Sequence, residues 1–206
     1  MTAPLYPPLL ATFPTITLVE AIAVVAGIAS VWCSRKENVW VYPLGLINTI
    51  IYTWISVGAE LPGEATVNFY YTVMSLYGWY WWLQRTEQNE RVVKISFSST
   101  RYWTAQLLFF LICYIALYFS LVYLKGEFFE GAIPWADALA SAAAFTGMWL
   151  MTQKKVESWF WWLLTNITAV PLYYSKGLWL TAGYYLVLTG LAIAGLMEWK
   201  KRAQRL

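Results

Sequence analysis

Long apolar runs separated by short polar breaks fill the chain from end to end. Seven runs can be marked, at about 15–33, 39–57, 67–83, 103–124, 135–152, 154–177 and 179–198, each close to the ~20 residues an α-helix needs to cross a hydrocarbon core. The breaks between them carry turn residues and charge: SRKEN at 34–38, GAELPGEAT at 58–66, a longer polar connection at 84–102, and KGEFFEGAIP at 125–134. This pattern predicts an all-α integral membrane protein with seven transmembrane helices.

Charge adds orientation. With seven spans, twelve of the fourteen lysines and arginines fall on one side, in 34–38, 84–102, 152–157 and the tail, and only Lys125 and Lys176 fall on the other. The positive-inside rule then puts the N-terminus outside and the C-terminus in the cytoplasm. Residues 1–14 hold Pro7, Pro8 and Pro14 but no basic residue, which fits an external tail rather than a secretory signal. The expected organisation is an external tail at 1–14, a first unit at 15–83, a basic cytoplasmic loop at 84–102, a linker helix at 103–124, an external loop at 125–134, a second unit at 135–198 and a basic cytoplasmic tail at 199–206. Composition agrees, with 60% hydrophobic and 12% charged residues, where a soluble domain is about a quarter charged. A net charge of +3, tied to segment ends, does not suggest a nucleic-acid partner.

The two units echo each other. Gly27, Lys36, Trp40 and Asn48 recur as Gly147, Lys155, Trp159 and Asn166 with spacing kept to within two residues, and Tyr70-Tyr71-Thr-Val73 recurs as Tyr184-Tyr185-Leu-Val187. One helix between the units makes them two parallel three-helix repeats joined by a linker helix, and transporters built this way place their site at the repeat boundary.

Candidate chemistry follows from what is expensive in a membrane. Asn48 and Asn166 are single amides deep in apolar helices, and such groups need a partner or a task. They either bond across helices or meet a polar solute. Trp159, Trp162 and Asn166 share one face at i, i+3 and i+7, with Tyr173 extending the stripe and Pro171 able to open the backbone. Tyr52 follows Asn48 by one turn, and Tyr70 and Tyr77, seven residues apart, can share an inward face. Aromatic rings around amides suit a flat, polar and positively charged solute. Trp79, Trp81 and Trp82 read as interfacial anchors or packing residues. Catalysis is not indicated: histidine is absent, Cys33 and Cys113 lie as isolated thiols in apolar segments, Glu20, Glu64 and Asp137 stand in separate segments, and no metal cluster or cofactor motif occurs.

Three stretches, NVWVYPLGLINTIIY at 38–52, SLYGWYWW at 75–82 and WADALASAAAFTGMWLMTQKKVESWFWWLLTNITAVPLYYSKGLW at 135–179, make the chain resemble the PnuC family of bacterial vitamin transporters. The resemblance runs from the first span to the seventh. It implies a SWEET-like seven-helix fold, a homotrimer in the inner membrane, and facilitated diffusion of a B-type vitamin by alternating access, with a cytoplasmic kinase trapping the vitamin by phosphorylation. It implies nicotinamide riboside as the substrate, with thiamine as the alternative and riboflavin in a related branch. By the same resemblance Trp162 and Asn166 match a WxxxN-like pattern, and Asn48 and Tyr52 fall in the corresponding GLIN region. The candidate substrate contacts are thus Asn48, Tyr52, Tyr70, Tyr77, Trp159, Trp162, Asn166 and Tyr173.

Overall fold

A computed structural model describes residues 16–58, 62–128, 133–175 and 179–205. The tail expected at 1–14, residues 59–61 and 129–132 of the two loops opposite the basic end, and Lys176 lie outside the described residues, as do the side chains of Glu20, Glu64 and Lys125. Among the described residues seven helices are present: α1 (Ile16–Arg35), α2 (Val41–Gly58), α3 (Pro62–Leu83), α4 (Thr100–Phe128), α5 (Pro134–Thr152), α6 (Ser158–Ser175) and α7 (Trp179–Ala203). The chain is an all-α, seven-helix membrane protein. Even the shortest helices, of 18 residues, are ~27 Å long at 1.5 Å per residue, enough to match a bilayer core.

Helix starts follow local chemistry. α3 begins five residues before the apolar run because Pro62 suits a first helical turn, where its missing N–H costs nothing. Pro43 fits early in α2 for the same reason, and the Asn38 side chain accepts a hydrogen bond from the Trp40 amide at 3.0 Å just before that helix. In α5, Pro134 opens the helix and Asp137 accepts from the Ile133 amide at 2.8 Å, so this carboxylate serves a helix end. Pro171 lies inside α6 without breaking it.

The stretch 199–206, expected as a tail, is instead mostly the end of α7. Trp199 is fully buried, its ring meets those of Trp82 and Trp159 at 6.2 and 5.5 Å, and its indole N–H is shared by the Ser34 and Arg35 carbonyls. This anchor carries the helix past the apolar run, and Lys200, Lys201 and Arg202 complement the dipole of its last turn.

α1 packs on α2 and α7, α2 on α3, α3 on α5, α5 on α6, and α6 on α7, while α4 lies along α5 and reaches α6 at Trp161, whose indole N–H donates to Gln106 at 2.8 Å and whose ring lies 4.8 Å from that of Phe110. The outer surface of α4 shows Leu107, Leu111, Ile112, Ile115 and Phe119, an apolar face suited to lipid rather than water. The largest core cluster gathers Tyr42, Trp82, Trp159 and Trp199 at the basic end. Glycines admit these rings. A β-carbon on Gly195 would stand 2.6 Å from the Trp159 ring, whereas one on Gly183, in the same helix, would meet nothing within 4 Å. Gly195→Ala is therefore expected to cost about 1–3 kcal/mol by overpacking, read as a lowered thermal midpoint in detergent, with Gly183→Ala near the parent. Equal midpoints for the two variants would contradict the packing described.

The connection between α3 and α4 is ordered without regular structure. Thr86–Glu90 closes a turn, Ile95 is buried, and Ser96 pairs with the α5–α6 turn, its amide donating to the Lys154 carbonyl and its carbonyl accepting from Val156. The Glu157 carboxylate accepts from the Ser98 amide and hydroxyl at 2.8–3.0 Å. A loop carrying three basic residues, Arg85, Arg91 and Lys94, is thereby clamped over the end of the bundle.

Candidate functional site

Both candidate amides fall near the midpoint of their helices, Asn48 on α2 and Asn166 on α6. They do not bond each other. The Asn48 amide donates to the Ala23 carbonyl of α1 at 2.7 Å, an interhelical bond that satisfies one of its two N–H groups. Asn166 is only 3% exposed, yet among the described residues its amide has no hydrogen-bond partner. The amide is not among the fully enclosed polar atoms that lack a partner, so it keeps access to space in which a polar ligand can bond it.

Gly27 explains how α7 reaches Asn48. A β-carbon there would lie 2.8 Å from both the Asn48 side-chain nitrogen and the Tyr184 hydroxyl, so the glycine leaves space in which these two groups converge on α1. The Tyr184 phenol also lies within electrostatic range of Tyr52. On the facing side, Tyr71 of α3 sets its ring 6.1 Å from Trp162 of α6, and its phenol lies near those of Tyr70, Tyr173 and Tyr184. Tyr173 stacks on Tyr185 at 5.3 Å with the rings 11° apart. The result is a continuous group of aromatic and amide side chains from α2, α3, α6 and α7, lined on one side by the glycine of α1.

Five of the expected residues adjoin this group: Asn48, Tyr52, Tyr70, Trp162 and Tyr173. Tyr70 stands at its edge, its hydroxyl donating to the Phe145 carbonyl at 3.1 Å and its ring 4.4 Å from that of Phe145. Asn166 lies one turn beyond Trp162 on the same face of α6.

Two expectations need correction. Trp159 is 1% exposed, packed on Gly195 and edge-on to Trp199 in the core of the basic end. It shares a helical face with Asn166, but that face meets α7 at one end and the aromatic group further along. Tyr77 is 46% exposed and touches Trp81 on the outside of α3. The inward stripe of α3 runs through Tyr71, Ser75, Gly78 and Trp82, where Gly78 admits the Tyr42 ring, and Tyr77 falls off that stripe.

Tyr71 and Tyr184, not among the expected residues, also join this group. The repeated Tyr-Tyr pairs contain both, and the small residues Ser75 and Gly78, four and seven positions after Tyr71, mark which tyrosine of the first pair turns inward.

A second polar arrangement occupies the basic end. Lys154 is 1% exposed, 4.6 Å above the Trp82 ring, and pairs with Glu37 at 2.7 Å. Glu37 also takes Arg91 at 2.7 Å and Arg202 at 3.3 Å, and Glu198 joins Arg35 and Arg202. Glu37 and Lys154 both have positive φ, 57° and 51°, one in the α1–α2 turn and one in the α5–α6 turn. Burial pushes the Glu37 carboxyl up, but the bonds and charges of Lys154 and Arg91 reverse this and hold it below the usual carboxylate range. Burial lowers Lys154 from its ordinary value, opposed by Glu37 and assisted by Arg91 and Arg85. Two pockets open at this end, of about 420 and 380 Å³, both walled partly by Glu37 and Arg91.

The family model described as "Nicotinamide mononucleotide transporter" matches residues 17–201. The nicotinamide riboside transporter PnuC of Escherichia coli (strain K12) is 24% identical over 212 residues, covering 90% of this chain and 86% of that protein. The riboflavin/roseoflavin transporter RibM of Streptomyces davaonensis is 22% identical over 182 residues, covering 88% and 84%. A crystal structure of the vitamin B3 transporter PnuC superposes with a TM-score of 0.72 at 21% identity, covering 94% of this chain and 85% of that one.

Proposed function

This chain belongs to the nicotinamide mononucleotide transporter (PnuC) family, a family of transporters rather than enzymes, and is a multi-pass protein of the bacterial inner membrane; from that premise we propose that it carries nicotinamide riboside by facilitated diffusion. The observation that carries the reading is the unpartnered Asn166 amide beside the Trp162–Tyr71 rings. A pyridinium ring stacks on aromatic faces, and a carboxamide and ribose hydroxyls satisfy amides and phenols. Asn48, Tyr52, Tyr70, Tyr71, Trp162, Asn166, Tyr173 and Tyr184 are the contacts and gates assigned to it.

The site lies, in this reading, between two parallel three-helix repeats, α1–α3 and α5–α7, with α4 as linker. Support comes from the packing of the six helices of the two units on one another, which is unchanged when α1, α2 and α3 are exchanged with α5, α6 and α7: the α3–α5 contact then becomes the α7–α1 contact, while the linker α4 packs on α5 and not on α1. Further support comes from hydrogen bonds linking the second helix of each unit to its first across 25 residues, Asn48 to Ala23 and Thr165 to Ala140. Rocking of one unit against the other gives alternating access. The loop charges support a cytoplasmic C-terminus, and the apolar face of α4 supplies surface for the proposed homotrimer. Nicotinamide riboside is preferred to thiamine because it is the substrate in the name of the E. coli relative.

Accumulation by phosphorylation trapping is testable in liposomes containing the purified protein. Labelled nicotinamide riboside is expected to enter until concentrations match, with or without a proton gradient. Enclosing a riboside kinase with ATP converts that plateau into continued accumulation. Accumulation that needs the proton gradient and ignores the kinase would overturn the mechanism.

A further inference from the structure

Away from the aromatic group, the larger pocket at the basic end is walled by the α3–α4 loop, the α1–α2 turn and the last turn of α7. Four cations line it, Arg91, Lys94, Arg202 and Arg205, against the two carboxylates Glu37 and Glu90. Those carboxylates are already engaged. Glu37 is shared among Lys154, Arg91 and Arg202, and Glu90 pairs with Lys94. Arg205 has no ion pair among the described residues, and Glu198, behind Arg202, is itself shared with Arg35 and Lys36. Across this network seven cations face three carboxylates.

Such an excess, gathered from three separate segments around one concavity, has the charge and geometry to suit a dianion. Each guanidinium offers five donors in a planar fork, and the pairs above leave donors of Arg91 and Arg202 free to turn to the pocket. A phosphate group supplies acceptor oxygens for several forks at once, and neutralises charge that the network's own carboxylates do not. The pocket is held open by ordered elements: the loop is bonded to the α5–α6 turn through Ser96 and Ser98, and α7 is anchored by Trp199.

We propose that this pocket binds a phosphate group, carried either by a soluble phosphate monoester or by an anionic phospholipid headgroup. On the orientation proposed above, the pocket faces the cytoplasm, where phosphorylation of the transported riboside generates such a monoester. Bound there, the phosphate competes with Glu37 for Arg91 and Arg202, which links its occupancy to the contact between the α1–α2 and α5–α6 turns.

The test uses purified full-length protein, with Lys94→Gln/Arg205→Gln as the variant, since neither residue contacts the aromatic group or Lys154. Binding of nicotinamide mononucleotide and of inorganic phosphate is measured by calorimetry in detergent, and thermal protection is measured in nanodiscs with and without phosphatidylglycerol. Saturable binding of the mononucleotide or phosphate, weakened at least tenfold in the variant and by added salt, supports the site with a soluble source. Protection by phosphatidylglycerol alone, lost in the variant, supports it with a lipid source. Absence of both, or binding that the variant leaves unchanged, overturns it. Riboside uptake by the variant stays at the parent level if the transport reading holds, so failure of the phosphate site and failure of the transport reading give different results.

Discussion

Glu37→Gln is expected to destabilise the protein by about 3–5 kcal/mol, because it leaves Lys154 buried without its carboxylate. For a chain of this size that corresponds to a fall of roughly 10 °C in the thermal midpoint. Glutamine keeps the size of the side chain and the positive φ of the turn, so the loss isolates the charge. Lys154→Met in the same background removes the stranded ammonium and is expected to restore most of the midpoint. The folded-state pKa of Glu37 is lowered, so its contribution is present above the unfolded carboxylate pKa and is lost as pH falls through the lower folded value. Lys154, lowered in the folded state, acts in the alkaline range: stability rises with pH between its folded pKa and its higher unfolded one. A midpoint for Glu37→Gln equal to the parent, or no rescue by Lys154→Met, contradicts this account of the basic end.

Asn166→Ala is expected to separate stability from transport. The amide has no hydrogen-bond partner among the described residues, so its removal costs the fold little. Riboside uptake, in contrast, is expected to fall about 10- to 100-fold, the loss of ~1–3 kcal/mol of ligand hydrogen bonding. Trp162→Ala weakens uptake further by removing the ring opposite Tyr71. Asn48→Ala is the contrasting case: it loses the bond to the Ala23 carbonyl and costs ~1 kcal/mol of stability as well. Thermal midpoints and initial uptake rates in liposomes separate the two amides. An Asn166→Ala protein that is destabilised yet transports normally would make this amide structural.

A membrane chain carries some kinds of structural information openly and leaves others to the folded bundle. Apolar runs located every helix, since hydrocarbon length constrains them directly. Their ends were less legible: α7 continues to Ala203 because Trp199 is buried in a core that only the folded bundle creates. Helical periodicity ranked side chains within one helix but not by neighbour. Trp159 and Trp162 are one turn apart on α6, and one packs on Gly195 while the other meets Tyr71. Tyr77 was paired with Tyr70 by spacing, but the inward stripe of α3 follows Tyr71 and Gly78. Tyr184 joins the site because Gly27 is small, a relation between residues 157 positions apart that no local pattern encodes. The Glu37–Lys154 pair was equally hidden, as each residue alone looks like an ordinary turn charge.

Counterflow most directly tests the central claim that nicotinamide riboside passes through the aromatic–amide site. Liposomes loaded with unlabelled riboside are placed in trace labelled riboside, with no gradient of any ion. The account predicts rapid transient accumulation of label, slowed strongly by Asn166→Ala and undiminished by excess external thiamine. Counterflow of labelled thiamine with none of the riboside would contradict the substrate, and riboside counterflow unaffected by Asn166→Ala and Trp162→Ala would contradict the site.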